Sequence, residues 1–280
     1  MYSRPWTTSV SLEQQVKSLA SRLQGQRQVS LLEGALAAGL HFDNPTALMQ
    51  FSVAMRELVS DVLEQAAPYE CVRRCSWFLQ DDNHVGVTRR QRAMYAAHGG
   101  LEPAFLAKSG IYLEKDLRDL STLMKELQAQ THAKTGTLGL PADMVELRIE
   151  ETLETLVRLL KSLKDVPRQV GEALADTVYG ALQDFFFNRT IEEFDLVSSK
   201  GYEVDPWIDD PEIVVSGIDA GSVHLTFAGG ANVTLHYGKG KDATVIEHPF
   251  PFRMFFRADV STPESLNFVK SEIDDSGWYT

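Results

Sequence analysis

The sequence predicts an α+β protein, with an N-terminal antiparallel helical bundle over residues 8–190 and a small antiparallel β domain over residues 191–280. Three observations predict it. Apolar residues recur at three- and four-residue steps through the first 190 positions. Near residue 195 the pattern changes to short β-branched runs separated by Ala-Gly and Gly-Gly. Charge divides at the same place, with 16 acidic and 6 basic residues in 191–280 against 23 and 21 before it. At 280 residues the chain holds ample core for one large domain or two modest ones.

The helical stripes follow in order. Leu12, Val16, Leu19 and Leu23 come after a Ser11–Gln14 capping box. Leu48, Phe51, Met55, Leu58 and Val62 follow Asn44-Pro45, an N-cap and first-position pair. Leu113, Leu117, Leu120, Met124 and Leu127 form a third stripe, and Ile149, Leu153, Leu156, Leu160 and Leu163 a fourth. After Pro167, a fifth runs through Val170, Leu174, Val178, Leu182 and Phe185. Narrow, long stripes of this kind are the seams of a bundle.

Between the second and third stripes, residues 67–111 form a less regular insert. It contains GVTRRQRAMYAAHGGL, residues 86–101. Thr88 as N-cap with Gln91 three positions on predicts a helix start, and Gly99-Gly100 its end. That places Arg89, Arg90 and Arg92 where unpaired N–H groups and the macrodipole already carry about half a positive charge. An anion must compensate them. Asp81 and Asp82 folding back is one source, and a bound phosphate is the other. With Arg73 and Arg74, these arginines are the densest basic cluster of the near-neutral first two thirds, and so the place for nucleic-acid contact; the acidic C-terminal third would repel a phosphate backbone. Cys71 and Cys75 lie four apart near His84 but lack a second ligand pair of normal zinc spacing, so they read as buried thiols, with no metal and no cofactor expected.

In the β domain, GYEVDPWIDDPE reads as an acidic, proline-broken connector. IVVSGID, SVHLTFAG, ANVTLHYG, ATVIEH and FRMFFRADV read as four or five short strands, YGKGKDA as a hairpin turn, and TPESLNFVKSEIDDSGW as a C-terminal helix and tail.

The sequence excludes several chemistries. No Asp or Glu is followed two places later by Lys, so the usual restriction-type metal nuclease is absent. No Gly-x-Ser-x-Gly elbow, Walker A loop or His-Glu-x-x-His helix occurs. No apolar run of 18 residues and no secretory h-region is present, which predicts a cytoplasmic protein away from membranes. Two histidines remain as proton-transfer candidates. Arg92 and His98 form Arg-x5-His, the spacing of metal-independent RNases, although six residues of continuous helix turn by about 600° and leave the pair some 120° apart. His132, at the end of the third stripe, is also placed to complement a helix C-terminus.

Thr88, Arg89, Gln91, Arg92, Tyr95, Gly99, Gly100 and Leu101, then Thr131 and His132, then Phe250, Pro251 and Phe252 give the chain a pattern that resembles a bacterial family of predicted PIWI-associating nucleases. Leu127-Gln128 stands where that family carries Leu-Asn. The resemblance implies a component of a prokaryotic defence system acting on nucleic acid, and more distantly the HEPN class of helical RNases. Arg89, Arg90, Arg92, Arg73 and Arg74 would then bind nucleic acid, with His132, His98 and Arg92 catalytic. The competing expectation is a non-catalytic interaction or regulatory subunit, homo-oligomeric or docking a basic protein partner on its acidic C-terminal domain.

Overall fold

The apolar stripes become the buried rows of helices. The computed structural model describes residues 10–82, 85–132 and 138–279; His84 lies outside the described residues. The chain divides into two units, one holding residues up to His98 together with Tyr112–Asp165, the other Gly99–Ile111 together with Val166–Thr280.

The first unit contains α1 (Val10–Ala20), α2 (Gln26–Gly39), α3 (Ala47–Ala66), α4 (Tyr69–Arg73), α5 (Arg89–His98), α7 (Glu114–Gln130) and the greater part of α8 (Ala142–Ala173). All five residues of the third stripe and all five of the fourth are buried, and Phe51, Met55 and Leu58 are fully enclosed. A β-carbon on Gly39 would come within 2.8 Å of Ile149 and 3.1 Å of Phe51, so glycine is what fits where α2 meets these side chains. Two expected caps differ in detail. Ser11 sits inside the first turn of α1, and the Asn44 carboxamide accepts from Thr46 N–H, fixing the turn before α3. No helix among the described residues is long and apolar enough to cross a membrane.

The second unit contains α6 (Pro103–Lys108), the end of α8, α9 (Ala175–Asn188), α10 (Glu192–Val197) and a four-stranded antiparallel meander. The strands are β1 (Tyr202–Ile218), β2 (Ser222–Tyr237), β3 (Thr244–Asp259) and β4 (Thr262–Ile273), in that order across the sheet. Period-two alternation puts Val223, Leu225, Phe227, Ala231, Val233 and Leu235 of β2 and Phe250, Phe252, Met254, Phe256 and Ala258 of β3 on one buried face. Helical aromatics close over it: Tyr179 meets Phe227 at 5.8 Å, Phe186 meets Phe252 at 5.1 Å, and Phe194 meets Phe250 at 5.0 Å.

The α+β class is as the sequence predicts, and several details are not. Pro167 lies inside α8 and does not begin a helix, because the buried row of Val166 and Val170 continues on both sides of it. The break falls at Leu174. The last turns of α8, from Val166 on, and all of α9 group with the strands in the second unit, where Tyr179 and Phe186 of α9 pack on the sheet. Gly229-Gly230 does not divide two strands. It is internal to β2, facing Phe252 and Pro251 across the ladder, and Gly229 leaves its inner position to the Phe252 ring stacked on Phe227. The acidic connector is the first half of β1. Pro206 and Pro211 fall at its two register breaks, which an edge strand tolerates because proline lacks the ladder donor. The expected C-terminal helix is β4, in which Leu266 and Phe268 alternate with exposed Asn267 and Val269 at the strand period.

Gly99 and Gly100 end α5 as expected and do more. Gly99 has φ +55°, and Gly100 N–H donates to the Asp219 carbonyl at 2.8 Å. A β-carbon on Gly100 would lie 2.2 Å from the Ala220 carbonyl oxygen, so the pair docks its bare backbone on the β1–β2 turn.

Candidate nucleic-acid interface

The first turn of α5 is built by its capping box. Gln91 N–H donates to Thr88 Oγ1 at 3.2 Å while Thr88 N–H donates to Gln91 Oε1 at 2.9 Å. Gln91 Nε2 also donates to the Leu79 carbonyl at 2.6 Å, tying down the preceding loop.

The three arginines then separate. Arg92 turns inward, its side chain only 15% exposed. It donates to the carbonyl of Ala67, the C-cap of α3, and lies 3.8 Å from Glu64. A cation at a helix C-terminus meets an orphan carbonyl and the negative end of a dipole, which is why a guanidinium is stable there although its own helix starts nearby. Arg90 Nη2 donates to both oxygens of Glu114, at 2.8 and 3.0 Å, on the first turn of α7. Among the described residues, carboxylates on α7 and α3 thus stand beside Arg90 and Arg92.

Arg89 is different. It is exposed, and its Nε donates to the Ser60 hydroxyl at 3.2 Å, a neutral partner that leaves its charge uncancelled. One turn earlier on α3, Arg56 is half-buried, and its Nε is buried with no hydrogen-bond partner among the described residues. Arg56, Ser60 and Glu64 recur every four residues and share one face of α3. Arg89 therefore reaches the Ser60 hydroxyl from the N-terminal turn of a ten-residue helix, and Arg56, a second guanidinium without a carboxylate partner among the described residues, stands one turn before Ser60 on the same face of α3. Such a group suits a phosphate: fork-shaped donors, a hydroxyl and the positive end of a dipole. Arg73 and Arg74 are exposed on the neighbouring α4, with Arg73 over the Tyr69 ring at 5.6 Å and Arg74 Nη2 3.6 Å from Cys71 Sγ.

The structure does not gather the two histidines around these arginines. His98 is 2% exposed, packed 5.6 Å from the Trp77 ring at the far end of α5 from Arg89. His132 is exposed beyond the C-terminus of α7, where Gln128 Nε2 lies 3.1 Å from its Nε2. Arg90 is anchored at the opposite end of that 17-residue helix, about 25 Å away at 1.5 Å per residue. A polar cleft of about 320 Å³ along α7 and α8 holds Asp119, Glu126, Arg148, Glu151 and Arg158, but both of its arginines pair within it, Arg158 with Asp119 and Arg148 with Glu151, each at 2.8 Å. No group of three or more His, Cys, Asp or Glu among the described residues is arranged to hold a metal ion.

Sequence reasoning missed Arg56, Ser60, Glu64 and Glu114. The four-residue row opposite the buried stripe of α3 was the available signal; the pairing of Arg90 with Glu114, 24 positions on, had none. Two family models, each described as "Predicted pPIWI-associating nuclease", match the chain over residues 20–156 and 163–279. No curated protein and no solved structure shows a significant match.

Proposed function

The chain belongs to the predicted pPIWI-associating nuclease family, and we propose that it serves a prokaryotic defence system by binding nucleic acid through the backbone phosphates, at Arg56, Ser60 and Arg89. The observation that carries this reading is the contrast in partners: Arg90 and Arg92 meet Glu114 and Glu64, whereas Arg89 meets only a hydroxyl. Arg73 and Arg74 extend the positive surface along the same unit, and Arg90 borders it.

Binding of labelled single-stranded RNA and duplex DNA at two salt concentrations tests the site. Wild type is expected to bind in a salt-sensitive way, and Arg56→Ala/Arg89→Ala to weaken binding and flatten the salt slope by about one for each phosphate no longer neutralised. Unchanged binding by the folded double variant would remove the assignment. A second reading, a non-catalytic subunit docking a basic partner, is favoured by the 16-to-6 excess of acidic residues in 191–280. It predicts no nucleic-acid binding by the isolated wild type.

A further inference from the structure

We propose that the outward face of the β-sheet carries an RNA-cleaving site in which His224 transfers the proton, Arg257 holds the scissile phosphate and Asp219 positions His224. The substrate class rests on the nucleic-acid reading above; the site itself rests on the geometry of the second unit.

The β1–β2 turn presets the carboxylate. Asp219 Oδ1 accepts from the N–H groups of Gly221 and Ser222, at 2.7 and 2.8 Å, which aims Oδ2 at His224 Nε2, 3.3 Å away. With Nε2–H donating to Asp219, the lone pair of the neutral ring lies on Nδ1, which has no hydrogen-bond partner among the described residues. That is a base oriented by an acid, on a solvent-facing strand position. Across the ladder His224 faces Arg257, so the two side chains leave the same face of the sheet about 5 Å apart at their β-carbons. Arg257 is fixed as well: its Nε and Nη2 donate to the buried Ser222 hydroxyl, at 2.8 and 2.7 Å, leaving Nη1 for a phosphate oxygen. The same turn therefore orders carboxylate, imidazole and guanidinium together.

Residues 191–280 are acidic as a whole, 16 against 6, but the ladder positions that flank this pair are uncharged. Gly217 faces His224 from β1, Asn267 faces Arg257 from β4, and Asp259, beside Arg257, is already bound to the Ser261 N–H and hydroxyl. Partial burial acts to raise the Asp219 pKa, but the Gly221 N–H, the His224 ring and the Ser222 N–H outweigh it and keep the carboxyl below its ordinary value, hence ionised.

The chemistry needs no co-reactant. His224 Nδ1 takes the proton of a ribose 2′-hydroxyl. The 2′-oxygen bonds to the adjacent phosphorus as the bond from phosphorus to the 5′-oxygen breaks, giving a 2′,3′-cyclic phosphate. The departing oxygen takes a proton from water, and His224 returns its own to solvent. Arg257 offsets the charge that builds on the phosphate oxygens.

The test incubates the full chain with single-stranded RNA in excess EDTA, beside an oligonucleotide 2′-deoxy throughout. Wild type should release 2′,3′-cyclic phosphate ends from RNA alone. His224→Ala and Arg257→Ala should each lower the rate by about 100-fold or more, with circular dichroism unchanged in both and RNA binding unchanged in His224→Ala. Asp219→Asn can keep the turn through its amide oxygen, so it should fold, and it should move the rising limb of the pH–rate profile to lower pH, which a purely structural residue would not do. Wild type that makes no cyclic phosphate, or His224→Ala that cleaves like wild type, overturns the site whether or not RNA binds. Absence of RNA binding as well would overturn the proposed function separately.

Discussion

The charged side chains at the start of α5 and those at the β1–β2 turn are both well ordered, but by different means. Around α5 the order comes from other helices, with Arg92 on the α3 carbonyl of Ala67 and Arg90 on Glu114 of α7. At the β1–β2 turn it comes from the turn's own backbone, which leaves outward-facing atoms unspent. The difference teaches that a motif rich in arginine can be mostly architecture. Within Thr-Arg-Arg-Gln-Arg and Gly-Gly-Leu, Thr88 and Gln91 make a cap, Arg92 caps α3, Gly100 docks a turn, and Leu101 is fully buried. Of the three arginines of this motif, Arg89 alone has no carboxylate partner among the described residues.

If the Gly-Gly is architecture, its loss must act on stability. Gly100→Ala places a β-carbon 2.2 Å from a backbone oxygen that no rotamer change can clear, and should cost about 3 kcal/mol or more in denaturant unfolding. Gly110→Ala is the control: φ is +71° but nothing lies within 4 Å, so only the left-handed strain of about 1–2 kcal/mol applies. Equal effects at the two positions would refute the docking role.

The arginines should rank next. Arg92→Ala strands the buried Ala67 carbonyl and should cost about 2 kcal/mol, while Arg90→Ala removes an exposed ion pair worth less than about 1 kcal/mol. Thermal or urea unfolding of both variants decides it. A larger loss from Arg90→Ala would mean that the Glu114 pair, and not the cap on α3, orders α5.

What is legible in the sequence follows from local physics. Four-residue periodicity marks the buried rows of α7 and α8, and the Thr88–Gln91 spacing marks a cap that forms as expected. What is not legible depends on partners distant in sequence. β4 reads as a helix because Leu266, Val269 and Ile273 also fit three- and four-residue steps; pairing with β3 settles the matter. The prolines of β1 read as breakers, and only their position on an edge strand makes them tolerable. At the candidate sites, Arg89 is visible by motif and Arg56 is hidden in an ordinary amphipathic helix. His224 reads as one more alternating strand residue, and only the fold brings Asp219 and Arg257 to it.

The smallest expected effect separates the units by pH. Three carboxyls in the second unit sit below their ordinary values. For Asp219 burial acts the other way and its three hydrogen bonds outweigh it; Asp259 is lowered by the Ser261 hydroxyl and N–H with Arg257 nearby, and Asp274 by the Ser276 hydroxyl and N–H. A folded pKa below the unfolded value of about 3.9 means that the folded state holds the ionised form more tightly. The stabilisation is therefore complete above about pH 5, and drains away as pH falls through about 4 towards the folded values. Hydrogen exchange measured between about pH 5 and 3 should show protection at the β1–β2 turn, the β3–β4 turn and residues 274–279 falling before that of the sheet centre. Asp274→Asn, which removes the titrating group at the last of these, should flatten the response there and leave it unchanged at the β1–β2 turn. Uniform loss across the sheet would instead place the acid sensitivity outside these turns.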